Sequence, residues 1–207
     1  MRYPDQRVIA VVLGGLLAAV TMTGSALADA HPRVPRPMMS AALAATPGRA
    51  EAAPMVPTKR SVAIARARTW LTAWHGGPVP YSQSRYLNGW RTDCSGYISM
   101  AWNLQNANGA PLNYNTDSML RGGPGFPGPV VHPIAWGDLK PGDAIGFLGA
   151  GSAGDAGHVM LFEGWADPAH TVYRVYEQAG DGGTHHRTHP VSYNHYKPYR
   201  YDRILEG

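Results

Sequence analysis

Thr92-Asp93-Cys94-Ser95-Gly96-Tyr97-Ile98-Ser99-Met100-Ala101-Trp102 marks the point in a 207-residue chain where helical spacing gives way, beyond a long loop, to short strands. Tyr97, Ile98, Ala101, Trp102 and then Leu104 form one inward side, so the spacing predicts a helix from about Asp93 to Leu104. Asp93 or Thr92 is its expected N-cap, and Asn106 to Gly109 its end. Upstream, Lys59 to Trp74 reads as a first helix with Ser61 as N-cap and Gly76-Gly77-Pro78 as its stop; Ile64, Ala67, Leu71 and Trp74 share a side. Val79 to Trp90 reads as an irregular connection with the turn residues Asn88-Gly89. Downstream, Asn113 to Pro133 is a long Gly- and Pro-rich loop. After Leu139-Lys140-Pro141-Gly142-Asp143 the character changes. Ala144 to Leu148, His158 to Gly164, Thr171 to Gln178, Thr184 to His189 and Tyr199 to Ile204 are β-like runs separated by Gly-rich turns. Helices first and a strand meander afterwards predict an α+β domain, its N-terminal helices packed on one antiparallel sheet.

Residues 1–28 have the three parts of an export signal. Arg2 and Arg7 precede the apolar run Val8 to Val20, and Ala26-Leu27-Ala28 offers a small-x-small cleavage site. The apolar run is short for a membrane span. Residues 29–58 are rich in Pro and Ala and lack apolar periodicity, as expected of a disordered leader or linker; a pro-segment over the active site is the other reading. Residues 59–207 then have the size of one domain with a single core. Beyond residue 28, sixteen Lys and Arg stand against thirteen acids, a net charge of +3. That mild excess suits an anionic cell envelope, and with no basic run it gives nucleic-acid binding little support. The expected product is secreted and monomeric, with a charge suited to contact with an anionic cell wall.

Cys94 is the only cysteine. An exported chain normally uses cysteines in pairs, so a single one is inert packing or a reactive thiol. Its flanks, Asp93, Ser95 and Gly96, are polar for a packing site. At a helix N-terminus the unpaired amides favour a thiolate, and an imidazole brought beside it would form a thiolate–imidazolium pair. His158 in Gly157-His158-Val159 opens a strand and is the candidate base. The base in turn needs an acceptor on its far ring nitrogen. Alternation along Thr171 to Gln178 puts Tyr173, Val175 and Glu177 on one side and Arg174, Tyr176 and Gln178 on the other. Glu177 fits this role, with Gln178 as the neighbouring alternative.

These residues carry a family resemblance. From about Trp70 to Ile204 the chain resembles the NlpC-type papain-like cysteine peptidases that cut bacterial cell-wall peptides. The resemblance rests on Val79-Pro80-Tyr81, Thr92-Asp93-Cys94-Ser95-Gly96-Tyr97, Leu139-Lys140-Pro141-Gly142-Asp143 and Gly157-His158-Val159, in that order and spacing. It implies a papain-like fold, Cys94 as nucleophile and His158 as base. It also implies that Tyr81 and the Cys94 amide hold the oxyanion; Asp93, Ser95 and Gln178 are the further candidates for the oxyanion and substrate site. The implied substrate is a peptidoglycan stem peptide cut between D-glutamate and the diamino acid. Two positions depart from the family. Ser82-Gln83-Ser84-Arg85 replaces the usual Trp-Gly-Gly turn, and Glu177 stands where histidine is common. A carboxylate there is closer to the related CHAP group, whose amidase members cut between the lactyl group and L-alanine. A wall- or partner-binding module without turnover is the non-enzymatic alternative.

No cofactor or metal is expected. In His185-His186-Arg187-Thr188-His189, a strand would put His185 and His189 on one side and His186 on the other, so at most two ligands converge locally. A groove-lining or exposed role fits these residues better. The Gly122 to Gly128 stretch lacks the Gly-Lys-Ser/Thr ending of a phosphate loop. Trp70, Trp74 and Trp102 sit at helix-core spacing.

Overall fold

The computed structural model describes residues 56–122, 128–149 and 157–207. The expected export signal, most of the leader, and parts of the two Gly-rich loops lie outside them. The described chain is α+β. Strand β1 (Thr58–Lys59) leads into α1 (Arg60–Thr69), a hairpin of β2 (Tyr86–Leu87) and β3 (Trp90–Arg91), α2 (Cys94–Trp102) and α3 (Thr116–Arg121). There follow β4 (Val131–Pro133), β5 (Ala144–Phe147), β6 (His158–Trp165), β7 (Val172–Ala179), β8 (Gly183–Pro190), β9 (Lys197–Tyr201) and β10 (Ile204–Leu205). Six strands form one antiparallel sheet in the order β4-β9-β5-β6-β7-β8. Strand β1 pairs in parallel with β10, and the Thr58 hydroxyl donates to the Trp102 carbonyl.

Strand alternation divides the core between the two faces of the sheet. Ala144, Val159, Leu161, Tyr176 and Tyr201 pack with α1 and α2, whereas Ile145, Met160, Phe162, Tyr173 and Val175 pack with Leu139 and Tyr196. All nine residues of α2 are buried, more than the single inward side read from spacing. Three neighbours enclose it. The Tyr97 hydroxyl donates to the Ala67 carbonyl on α1, and Trp102 Nε1 donates to the Gly142 carbonyl beside the sheet. On the third side, Arg91 donates to Ser95 Oγ and to the Tyr114 carbonyl.

Other boundaries differ from those read off the sequence. Helix α1 begins at Arg60 after Lys59, with no side-chain cap from Ser61, and ends at Thr69 rather than Trp74. Its end is set by Val79, whose N–H takes the Trp70 carbonyl at 2.9 Å, while the following amides bond back three residues. Residues 79–90 contain strand β2 of a tight hairpin, with Asn88 and Gly89 at φ 50° and 83° as a primed turn requires. The stretch from Asn113 to Pro133 holds both α3 and β4. The Asn115 side chain caps α3 by accepting from the Ser118 N–H. The last predicted strand breaks after Tyr201, so that β10 can turn to meet β1.

Candidate active site

The nucleophile candidate sits where local rules place it. Asp93 has extended backbone, and its Oδ1 accepts from the Gly96 N–H at 2.8 Å, which fixes Cys94 as the first residue of α2. Asp93 is also held by Arg91 Nε at 2.7 Å. A Cβ on Gly96 would run into the Arg91 carbonyl, so the glycine admits its own chain rather than a substrate. First-turn amides such as that of Cys94 have no acceptor within the helix. Cys94 is 4 % exposed, and its Sγ lies 3.7 Å from the hydroxyl of the equally buried Thr116. Gly157 allows Thr116 this position, because a Cβ there would sit 3.2 Å from the Thr116 methyl.

His158 begins β6, and its ring lies close enough to Cys94 for the sulfur to raise its pKa. Its Nε2 lies 2.7 Å from Glu177 Oε2, which leaves Nδ1 for the sulfur. Glu177 is 2 % exposed. Burial works against its charge, but hydrogen bonds from His158, Arg187 and His189 overcome that and hold it well below the usual carboxylate range. The ionised carboxylate only accepts, so His158 Nε2 carries a hydrogen and donates it. Burial likewise opposes charge on the ring, yet the nearby sulfur of Cys94 and the bond with Glu177 push the His158 pKa up to about 9.

The remaining expected residues fall in different places. Tyr81 lines the cleft over His158, and burial, followed by its proximity to Cys94, raises its pKa, so at neutral pH its hydroxyl remains a donor. Ser95 is buried and bonded to Arg91 rather than facing the cleft. Gln178 is fully buried and points away from His158. Its amide donates to the Val79 carbonyl at 2.9 Å and the Thr92 carbonyl at 3.0 Å, and its oxygen accepts from Thr184. Glu177, not Gln178, therefore meets the ring, as the two-residue alternation of a strand requires. Gln178 instead ties the segment carrying Tyr81 to the residue preceding the helix cap.

Two further residues reach Glu177 from β8. Arg187 Nε donates to its Oε1 at 2.5 Å, and His189 Nε2 lies 2.7 Å from the same oxygen. Sequence spacing correctly put His185 and His189 on one side, but it held no sign that this side faces Glu177. The cross-strand register supplies that. His189 is buried against the Tyr193 ring at 4.5 Å, and Tyr193 stacks on Tyr196, whose ring meets His158 edge-on at 6.2 Å. His186 points the other way, to Glu163, and His185 lies beside Asp181. Among the described residues no group of three or more His, Cys, Asp or Glu is arranged to hold a metal ion. Thr116 was also missed, because it lay in a stretch read as loop. Its signal was Asn115 three residues before Ser118, a helix-capping pattern.

The cleft measures about 390 Å³, with Tyr81, Phe147, His158, Glu177, Arg187 and Tyr196 among its walls. A larger hollow of about 680 Å³ shares Phe147 and is lined by His195, Lys197 and Tyr199, without a nucleophile.

No family model matches the chain, and no curated protein matches it. Among solved structures, an NlpC/P60 family protein from Bacillus cereus aligns with a TM-score of 0.43 and 15 % sequence identity, covering 70 % of this chain and 41 % of that one. The chain thus spans about two fifths of that protein's length. Among the described residues, no helix is long and apolar enough to cross a membrane.

Proposed function

We propose that this chain is a cysteine peptidase of papain-like architecture acting on peptidoglycan stem peptides outside the cell. The observation that carries this reading is His158 at a strand entrance, held 2.7 Å from the buried carboxylate of Glu177 and close enough to Cys94, at a helix N-terminus, for the sulfur to raise its pKa. The motifs around Tyr81, Cys94, Asp143 and His158 supply the substrate class by resemblance, and the bond they imply lies between D-glutamate and the diamino acid. Asp93 and Ser95 act behind the nucleophile in this scheme, through the cap and Arg91.

His158 Nδ1 holds the proton taken from the Cys94 thiol, while Nε2–H stays bonded to Glu177. The sulfur attacks the amide carbonyl carbon, and the developing oxyanion accepts from the Cys94 amide and the Tyr81 hydroxyl. The C–N bond breaks as the Nδ1 proton passes to the leaving amine. Water then yields a proton to Nδ1 and hydroxide to the acyl carbon, and the C–S bond breaks to release the product acid and the thiolate. The carboxylate at position 177 favours a second reading within the same chemistry, the CHAP-like amidase.

Incubation with purified wall fragments tests both. An endopeptidase exposes the amino group of the diamino acid, whereas an amidase exposes that of L-alanine. Iodoacetamide at pH 6 should alkylate Cys94, and Cys94→Ala should abolish release of either product. A Cys94→Ala protein that still cuts the wall refutes the mechanism. A wild-type protein that binds wall fragments without cutting them would be the non-enzymatic module.

A further inference from the structure

We infer that Arg187 is a positioning residue for the reaction proposed above: it draws one oxygen of Glu177 to itself, leaves the other for His158, and offsets the carboxylate enough for the imidazolium to release its proton. The inference rests on that reaction and adds a group outside the Cys94–His158–Glu177 line.

The geometry is a fork. Arg187 Nε donates to Glu177 Oε1, and its Nη1 donates to Asp181 Oδ2 at 2.7 Å, so the guanidinium spans from the buried carboxylate to the rim of the cleft. Both arms come from one hairpin, with Asp181 in the turn between β7 and β8 and Arg187 on β8. A planar guanidinium held at two ends has little freedom, and so fixes the carboxylate it grips.

A buried carboxylate on an imidazole strengthens the base but weakens the acid. His158 must do both jobs in one turnover, taking the thiol proton and then surrendering it to the leaving amine. With its pKa pushed up to about 9, the ring is a reluctant donor. A fixed cation on the far oxygen of Glu177 lowers the attraction between carboxylate and imidazolium while keeping the carboxylate ionised. Asp181, largely exposed, tempers that cation. Among the described residues, the other groups facing Glu177 are His189 from β8 and the phenols of Tyr97 on α2, Tyr173 and Tyr196; those facing His158 are Cys94 from α2 and the Tyr196 ring. None of these others is a fixed cation.

The test is the titration midpoint of the His158 ring, followed by imidazole NMR in the full chain and assigned with His158→Gln, together with kcat on stem peptide. In Arg187→Gln the midpoint should rise by about one pH unit and kcat at pH 7 should fall roughly tenfold. Arg187→Lys should restore most of the midpoint, because the charge remains. Asp181→Asn should shift it the other way, downward, by releasing Arg187 from its counter-charge. A midpoint that stays put or falls in Arg187→Gln overturns the inference. Should that variant fail to fold, Asp181→Asn decides: an unchanged or raised midpoint overturns the inference. These outcomes leave the peptidase reading intact. That reading fails separately, and takes the inference with it, if wild-type His158 titrates near its ordinary value and Cys94 resists iodoacetamide at pH 6.

Discussion

Replacing Glu177 with glutamine separates the charge of the third residue from its shape. In the native protein Oε2 lies 2.7 Å from His158 Nε2 and the side chain is 2 % exposed, so little solvent screens the pair. An opposite charge this close shifts a pKa by roughly one to three pH units. Removing it should bring the His158 midpoint from about 9 to roughly 7. At 1.36 kcal/mol per pH unit, the imidazolium loses about 3 kcal/mol of stabilisation. Glutamine retains the volume and an acceptor oxygen, so the fold should persist in a thermal melt. The alkaline limb of kcat against pH, measured on stem peptide from pH 5 to 10, should move down by about two pH units. The value at the optimum should drop by at least about a hundredfold, as when the orienting carboxylate of a triad is replaced by its amide. A Glu177→Gln enzyme with its alkaline limb still near 9 and kcat unchanged would refute the reasoning.

The same carboxylate should govern acid stability. Its folded pKa lies well below its unfolded value of 4.5, so its contribution is complete above that pH and is lost as pH falls below it. The Tm should therefore decline on acidification below about pH 4.5, and less steeply in Glu177→Gln. Gly96→Ala should destabilise by about 1–3 kcal/mol, read in urea unfolding, because the added methyl meets the Arg91 carbonyl; wild-type stability there would discount the close approach. Gln178→Ala should cost about 2 kcal/mol and slow catalysis by loosening the Tyr81 segment, without shifting the His158 midpoint. A shifted midpoint would mean that Gln178 does touch the ring.

Much of this molecule was legible from local rules. Asp93 before Cys94, with an amide three residues on to cap, specifies a helix N-terminus wherever the segment lies. Alternation in β7 separated Glu177 from Gln178 before any fold was known, since successive side chains of a strand must face opposite ways. Asn88-Gly89 marked its turn because few other residue pairs tolerate two positive φ angles. Long-range contacts were not legible in this way. The end of α1 depends on Val79 taking the Trp70 carbonyl, and α3 lay hidden in a Gly- and Pro-rich stretch whose only mark was the cap at Asn115.

From residue types and periods alone, the chain determined its α+β class, a thiol at a helix start, a histidine at a strand entrance, and a carboxylate and an amide on opposite sides of the next strand. Tertiary structure alone decided that Arg187 and His189 share the oxygen of Glu177 that His158 leaves free, that Gln178 clamps Val79 to Thr92, and that Thr116 lies against the sulfur. Periodicity constrains which way a side chain points from its own element. What it meets there depends on the pairing of strands and the docking of a helix, and these are set by the burial of the whole core.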